Sequence, residues 1–189
     1  MTHINPAKLS NAIKLLMVIG LIAPVTLVAQ AKNPTQKQEK VEMELREQNK
    51  KIVASMLQHL EEMNIPAWQS LWSDDASQEM PFAPEGFPKK LEGMTVLYNQ
   101  YKSLPENFRS MKFSIEHLET LADPEWVVAE YKGLIELKNG GHYDNSYISL
   151  AHIKNGKIVL LREYFNPIVL QNAFGQNLQK NFNVRGSGK

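Results

Sequence analysis

Residues 126–167 read WVVAEYKGLIELKNGGHYDNSYISLAHIKNGKIVLLREYFNP, and the fold is decided there. In residues 126–137 the side chains of Ala129, Tyr131, Gly133, Ile135 and Leu137 fall on one face. Those of Val128, Glu130, Lys132, Leu134 and Glu136 fall on the other, because successive residues of a strand point to opposite sides. Asn139-Gly140-Gly141 makes a turn into a second alternating run, 143–153. Asn155-Gly156 is the strongest short hairpin signal in the chain, since both residues tolerate the positive φ that a tight hairpin turn demands. It leads into a third run, 157–165, which Asn166-Pro167 ends. Three long antiparallel strands therefore follow one another.

Upstream, Met111, Phe113 and Ile115 alternate with Lys112, Ser114 and Glu116, and Asp123-Pro124 makes the turn that joins this strand to the next. Before residue 105 the period changes from two to between three and four. Val41, Leu45, Ile52, Val53, Met56, Leu57, Leu60 and Met63 describe one long amphipathic helix from about residue 39, ended before Pro66. Pro66 starts a second, short helix whose Trp68, Leu71 and Trp72 share a face. Ser73-Asp74-Asp75 reads as a polar turn, and residues 78–82 as a short edge strand, because Pro81 lacks a ladder donor. Residues 84–88 form a loop that could cover a pocket. A third helix spans residues 91–104, with Val96, Leu97, Tyr101 and Leu104 inward, and Pro105 closes it. After the last strand, Ile168, Val169, Leu170 and Phe174 make a short apolar turn, and residues 175–189 form a flexible tail. Helices first and a strand meander after give an α+β fold, with helices covering one side of a curved antiparallel sheet.

The chain has 189 residues with 21 Lys plus Arg against 20 Asp plus Glu. That balance supplies no basic excess to neutralise a run of phosphates, so nucleic acid is not an expected partner. The absence of Cys excludes disulfides, thiolate nucleophiles, iron–sulfur clusters and cysteine zinc sites. Residues 1–31 order Lys8 and Lys14, an apolar run at 15–28 and then Ala29-Gln30-Ala31, which is the pattern of a cleavable signal peptide. A membrane anchor is the rival reading, but the run is shorter than the roughly 20 residues a span requires and contains Gly20 and Pro24. Export to the periplasm or medium, cleavage after Ala31 and a loose leader at 32–38 are the expectations. No stable membrane insertion is expected after cleavage.

The element order, together with Asn155-Gly156-Lys157-Ile158 and Arg162-Glu163-Tyr164-Phe165-Asn166-Pro167, resembles the nuclear transport factor 2-like superfamily. Within it the chain looks most like SnoaL-like polyketide cyclases and the phenazine biosynthesis A/B proteins, over residues 39–174. The resemblance implies a cone-shaped barrel of strongly curved, mainly antiparallel sheet, wrapped on one long and two shorter N-terminal helices. It also implies an apolar pocket with a few polar groups, in a superfamily that holds isomerases, cyclases, epoxide hydrolases and non-enzymatic binding domains. Glu163 stands where the phenazine proteins carry an acid. Their histidine on the third helix has no counterpart in Val96-Leu97-Tyr98-Asn99-Gln100-Tyr101, and Asn166 stands where many SnoaL-like domains carry Asp.

Glu163 is the candidate catalytic group, an acid or base activated by apolar neighbours. The plainer reading is an ion pair with Arg162 or Lys132. Trp68, Trp72, Met80, Phe82, Tyr98, Tyr101, Tyr147 and Asn166 are the candidate ligand-binding residues, with Tyr98, Tyr147 and Asn166 orienting a ligand oxygen; core packing is the alternative for the aromatics. His117, His142, His152, Asp74 and Asp75 read more simply as loop, turn or solvated residues. Neither HExxH nor a close His pair occurs, so no metal and no cofactor are expected. Two functions stay open. One is an exported protein binding a small apolar or cyclic ligand, with isomerase- or cyclase-type proton chemistry if it is an enzyme. The other is a non-catalytic, dimeric binding module whose partner surface is the sheet face of Tyr131, Ile135 and Leu137 or the face beside it. A homodimer through the sheet is expected.

Overall fold

The computed structural model describes residues 34–175; the expected signal peptide at 1–31 and, apart from Gly175, the expected tail at 175–189 lie outside them. Helix α1 (Pro34–Glu61) opens within the stretch expected to be a leader, so residues 34–38 are helical instead. Proline loses nothing at a helix start, where the first amides lack intrahelical partners anyway. The i,i+4 pairs Lys40–Glu44 at 3.5 Å and Glu42–Arg46 at 2.6 Å support the turns that follow.

Helix α2 (Ile65–Ser70) is capped by the Asn64 side chain, which accepts from the Ala67 amide. Strand β1 (Trp72–Glu79) takes up the Ser73-Asp74-Asp75 segment expected as a turn. It is also not an edge: β2 (Lys90–Glu92) pairs with it antiparallel on one side and β6 in parallel on the other. Pro81 falls beyond the end of β1 and therefore costs the ladder nothing. The expected third helix is divided. Gly93, at φ 83°, precedes α3 (Met94–Tyr101), and Pro105 sits at the start of α4 (Leu104–Asn107) rather than at an end. Strands β3 (Phe108–Thr120), β4 (Trp126–Leu137), β5 (Asn145–Lys154) and β6 (Lys157–Phe165) form the expected antiparallel meander. The apolar segment after β6 is a helix, α5 (Pro167–Phe174).

The sheet order is β2-β1-β6-β5-β4-β3. Its ends, β2 and β3, do not pair, so the expected curved, mainly antiparallel sheet on N-terminal helices is present and is left open along one side. Register shifts in β1, in β3 and between β5 and β6 bend it. Helix α1 lies across the concave side and buries Val53, Met56, Leu57 and Leu60. It is tied at its middle and at its C-terminal end. Arg46 donates to Thr120 Oγ1 and to the carbonyls of Leu121 and Ala122, and Asn49 donates to the Pro124 carbonyl. At the far end the Glu61 carboxylate accepts from the Phe113 amide. Tyr131, Ile135 and Leu137 are 2%, 3% and 4% exposed on this concave side. They are core and not the open partner face expected of them. No helix among the described residues is long and apolar enough to cross a membrane.

Candidate functional site

Between α1 and the concave sheet lies a cavity of about 110 Å³. Strand alternation explains who lines it. In β6, Leu161, Glu163 and Phe165 point inward while Arg162 and Tyr164 point outward. Across the β5–β6 ladder Glu163 faces Ser149, and Tyr147 faces both Phe165 and Tyr131. Ala129, Ser149 and Ala151 are fully buried on the same inward rows. From the helical side come Met56, Leu57, Leu60, Trp68 and Tyr101, and from β1 come Trp72 and Gln78.

Glu163 is half-buried. Apolar surroundings raise its carboxyl above the ordinary carboxylate range, because burial penalises the charged form. A hydrogen bond from the Tyr131 hydroxyl to Glu163 Oε1, at 2.5 Å, works in the opposite direction. The ion-pair reading fails: Arg162 is paired to Glu79 at 2.8 Å and Lys132 to Glu116 at 2.5 Å, both away from the cavity. Four tyrosines surround the carboxyl. Burial, reinforced by the nearby Glu163, pushes the Tyr131 and Tyr147 phenols well up, and likewise that of Tyr101. Tyr143 is pushed up to about 12, mainly by burial, with hydrogen bonds to Tyr147 and Asn145 opposing. All four are therefore neutral hydroxyls at physiological pH. Tyr131 and Tyr147 stack at 4.9 Å, and Trp68 stacks on Tyr101 at 4.3 Å. The Tyr101 hydroxyl donates to Gln78 Oε1 at 2.9 Å.

Of the residues expected from sequence, Glu163, Trp68, Trp72, Met80, Tyr101 and Tyr147 line the cavity. Three do not. Phe82 is 64% exposed and packs edge-on to Tyr164 on the outer side, because the chain has left β1 by residue 80. Tyr98 is half-buried against the core without reaching the cavity. Asn166 is exposed and its side chain caps α5, accepting from the Ile168 amide at 3.0 Å. Tyr98 and Asn166, expected to orient a ligand oxygen, do not reach the cavity, whereas Gln78, Tyr131 and Tyr143 line it. Tyr131 was recognisable, since it shares its face with Ala129 and Ile135, whereas Gln78 carried no sequence signal beyond alternation with Met80. His117, His142, Asp74 and Asp75 are exposed, and His152 stacks on Trp126 at 4.3 Å, away from the cavity.

This geometry has relatives. The model of the SnoaL-like domain matches residues 53–161. The uncharacterised protein YesE of Bacillus subtilis is 36% identical over 128 residues, which are 67% of this chain and 84% of that protein. A PhzA/B-like protein of Pseudomonas aeruginosa is 28% identical over 127 residues, covering 67% of this chain and 89% of that one. Among solved structures, an isomerase candidate from Bacillus subtilis superposes with a TM-score of 0.64 at 32% identity, over 68% of this chain and 94% of that chain. On the extent of the family match and the identity to its relatives, this chain belongs to the SnoaL-like domain family, with the fold of the nuclear transport factor 2-like superfamily.

Proposed function

We propose that this chain binds a small, largely apolar ligand in the cavity and moves a proton on it with Glu163, as an isomerase- or cyclase-type catalyst. The observation that carries the reading is the carboxyl itself. Glu163 sits on an inward strand position, desolvated enough to hold a proton above the usual carboxylate range, and is fixed by one hydroxyl rather than neutralised by a cation. A carboxyl so placed is suited to giving and taking a proton, which a salt-bridged one is not. The cavity volume of about 110 Å³ is smaller than the ~150 Å³ engineered cavity that takes up benzene. It supports a single small ring or a short chain in place of a multi-ring polyketide.

The protein acts outside the cytoplasm in this reading. The order of charge, apolar run and small residues in 1–31 supports export, and a cut after Ala31 leaves the whole of α1 from Pro34 intact. Native mass spectrometry of the protein from the exported fraction of its host tests both parts. A mass beginning at Lys32 with a bound small molecule is the expected result. With that compound in hand, Glu163→Gln abolishes turnover and leaves binding within a few-fold. Unchanged turnover would remove the catalytic role and leave a binding protein.

A further inference from the structure

The inward row of β4 runs Ala129, Tyr131, Gly133, Ile135, and at Gly133 it has no side chain. Two rings take that place. Phe113 is the cross-strand partner of Gly133 in the β3–β4 ladder, and Tyr147 reaches over from β5, where it pairs with Tyr131. A Cβ at position 133 would lie 3.1 Å from Phe113 Cε1 and 3.1 Å from Tyr147 Cε2. Both rings therefore rest on bare backbone, and both line the cavity. Gly133 has ordinary strand geometry and is not among the glycines with positive φ, so what it supplies is room and not a conformation.

Phe113 is also where the cavity stops along β3. The face it shares passes from Met111, 5% exposed, through half-buried Phe113 to Ile115, which is 39% exposed. Met111 and Phe113 line the cavity and Ile115 does not. The residue is held from two directions. Its amide is bound by the Glu61 carboxylate, and its ring meets Tyr131 edge-on at 5.8 Å. Glu163 lies on β6, with β5 and β4 between it and β3. Three strand spacings make about 14 Å along the sheet, which the Glu163 and Phe113 side chains shorten from both ends. A ligand that touches Glu163 and extends across Tyr147 and Tyr131 then meets the Phe113 ring.

We infer that Phe113, seated on Gly133, is the specificity-determining residue of this cavity and sets the longest ligand it takes. Gly133 is a positioning residue that acts through the two rings, since a Cβ beneath them would lift both off the sheet and into the ligand space. The inference rests on the cavity being a ligand site and sets the size of the ligand; it does not depend on Glu163 being catalytic.

Trp68 and Trp72 line the cavity and report on occupancy by fluorescence, and a Trp126→Phe background removes the third tryptophan, which lies outside it. The probes are cyclopentane and hydrindane, one ring and two fused rings of the same apolar chemistry. The parent protein is expected to bind cyclopentane about ten-fold more tightly than hydrindane, because the larger probe overpacks the space. Phe113→Ala is expected to invert that preference, since the vacated volume lets the second ring bury more apolar surface. Gly133→Ala keeps every side chain and is expected to weaken cyclopentane about three-fold through the crowded rings; adding Phe113→Leu to it restores the affinity. The ratio of the two affinities is taken on folded protein, so a role in stability alone does not move it. An unchanged ratio in folded Phe113→Ala, with cyclopentane still bound, overturns the inference alone. Should Phe113→Ala fail to fold, cyclopentane binding in Gly133→Ala equal to that of the parent overturns it as well. If neither probe changes the fluorescence of the parent or of a variant, the inference falls together with the ligand-site reading.

Discussion

Glu163 and Tyr131 form a pair whose two members can be separated by pH. Burial raises the Glu163 carboxyl in the folded state, so between its unfolded and folded pKa the native state holds a proton that the unfolded chain has lost. The contribution of Glu163 to stability is therefore fully present below the unfolded carboxyl pKa and is lost as pH rises through the folded one. Glu163→Gln cannot ionise, and its urea midpoint is expected to lack that decline; a parallel decline in both proteins would mean that Glu163 does not cause it. Tyr131 has the opposite influence, because its hydroxyl donates to the charged form. Tyr131→Phe is thus expected to move the Glu163 titration to higher pH, read from the carboxyl carbon shift by NMR. Movement to lower pH would show that the hydroxyl favours the protonated acid instead.

At the scale of elements, strand alternation carried most of what was legible. The parity of residues 126–137 separated Tyr131 from Lys132 onto opposite faces, and the parity of 157–165 put Glu163 on one face with Leu161; which face turns inward is set by the packing of the sheet on α1 and not by parity. What alternation does not carry is pairing across a long stretch of chain. The parallel ladder that joins β1 to β6 brings Gln78 beside Leu161, and nothing local to residues 72–79 announces it. For the same reason Pro81 suggested an edge that β2 occupies, and Phe82 was counted inward although the alternation had already ended. Asn166 illustrates a different limit, because the same amide that suits a ligand oxygen also suits a helix cap, and the cap is local. Gly133 shows how tightly the inward row is packed. A Cβ there would lie 3.1 Å from Phe113 Cε1 and 3.1 Å from Tyr147 Cε2. Crowding two rings costs more than the backbone entropy that alanine recovers, so Gly133→Ala is expected to lose about 1 kcal/mol net and a few degrees of Tm. A raised Tm in calorimetry would show that the rings yield freely and that the cavity is softer than its packing suggests.

For the molecule as a whole, the concave side is spent on core and cavity, so the self-association expected from the sequence would have to use the convex side of the sheet. That face mixes charge pairs with apolar groups. Lys132–Glu116 and Arg109–Glu136 lie on the same face as Leu134 and Ile148, which are 59% and 48% exposed on the neighbouring interior strands β4 and β5. Large apolar side chains held outward on interior strands, ringed by charge, fit an isologous contact between two copies better than they fit bulk water. The expected homodimer would bury them and leave both cavities accessible, since the two faces of a sheet are independent. Light scattering at micromolar concentration should give twice the chain mass, and Leu134→Asp with Ile148→Asp should give one chain mass with the ligand-induced fluorescence change of Trp68 and Trp72 intact. A parent protein that is already monomeric refutes this use of the face. A double variant that loses ligand response along with its partner would instead mean that the two sides of the sheet are coupled through β4 and β5, and that the cavity is shaped only in the dimer.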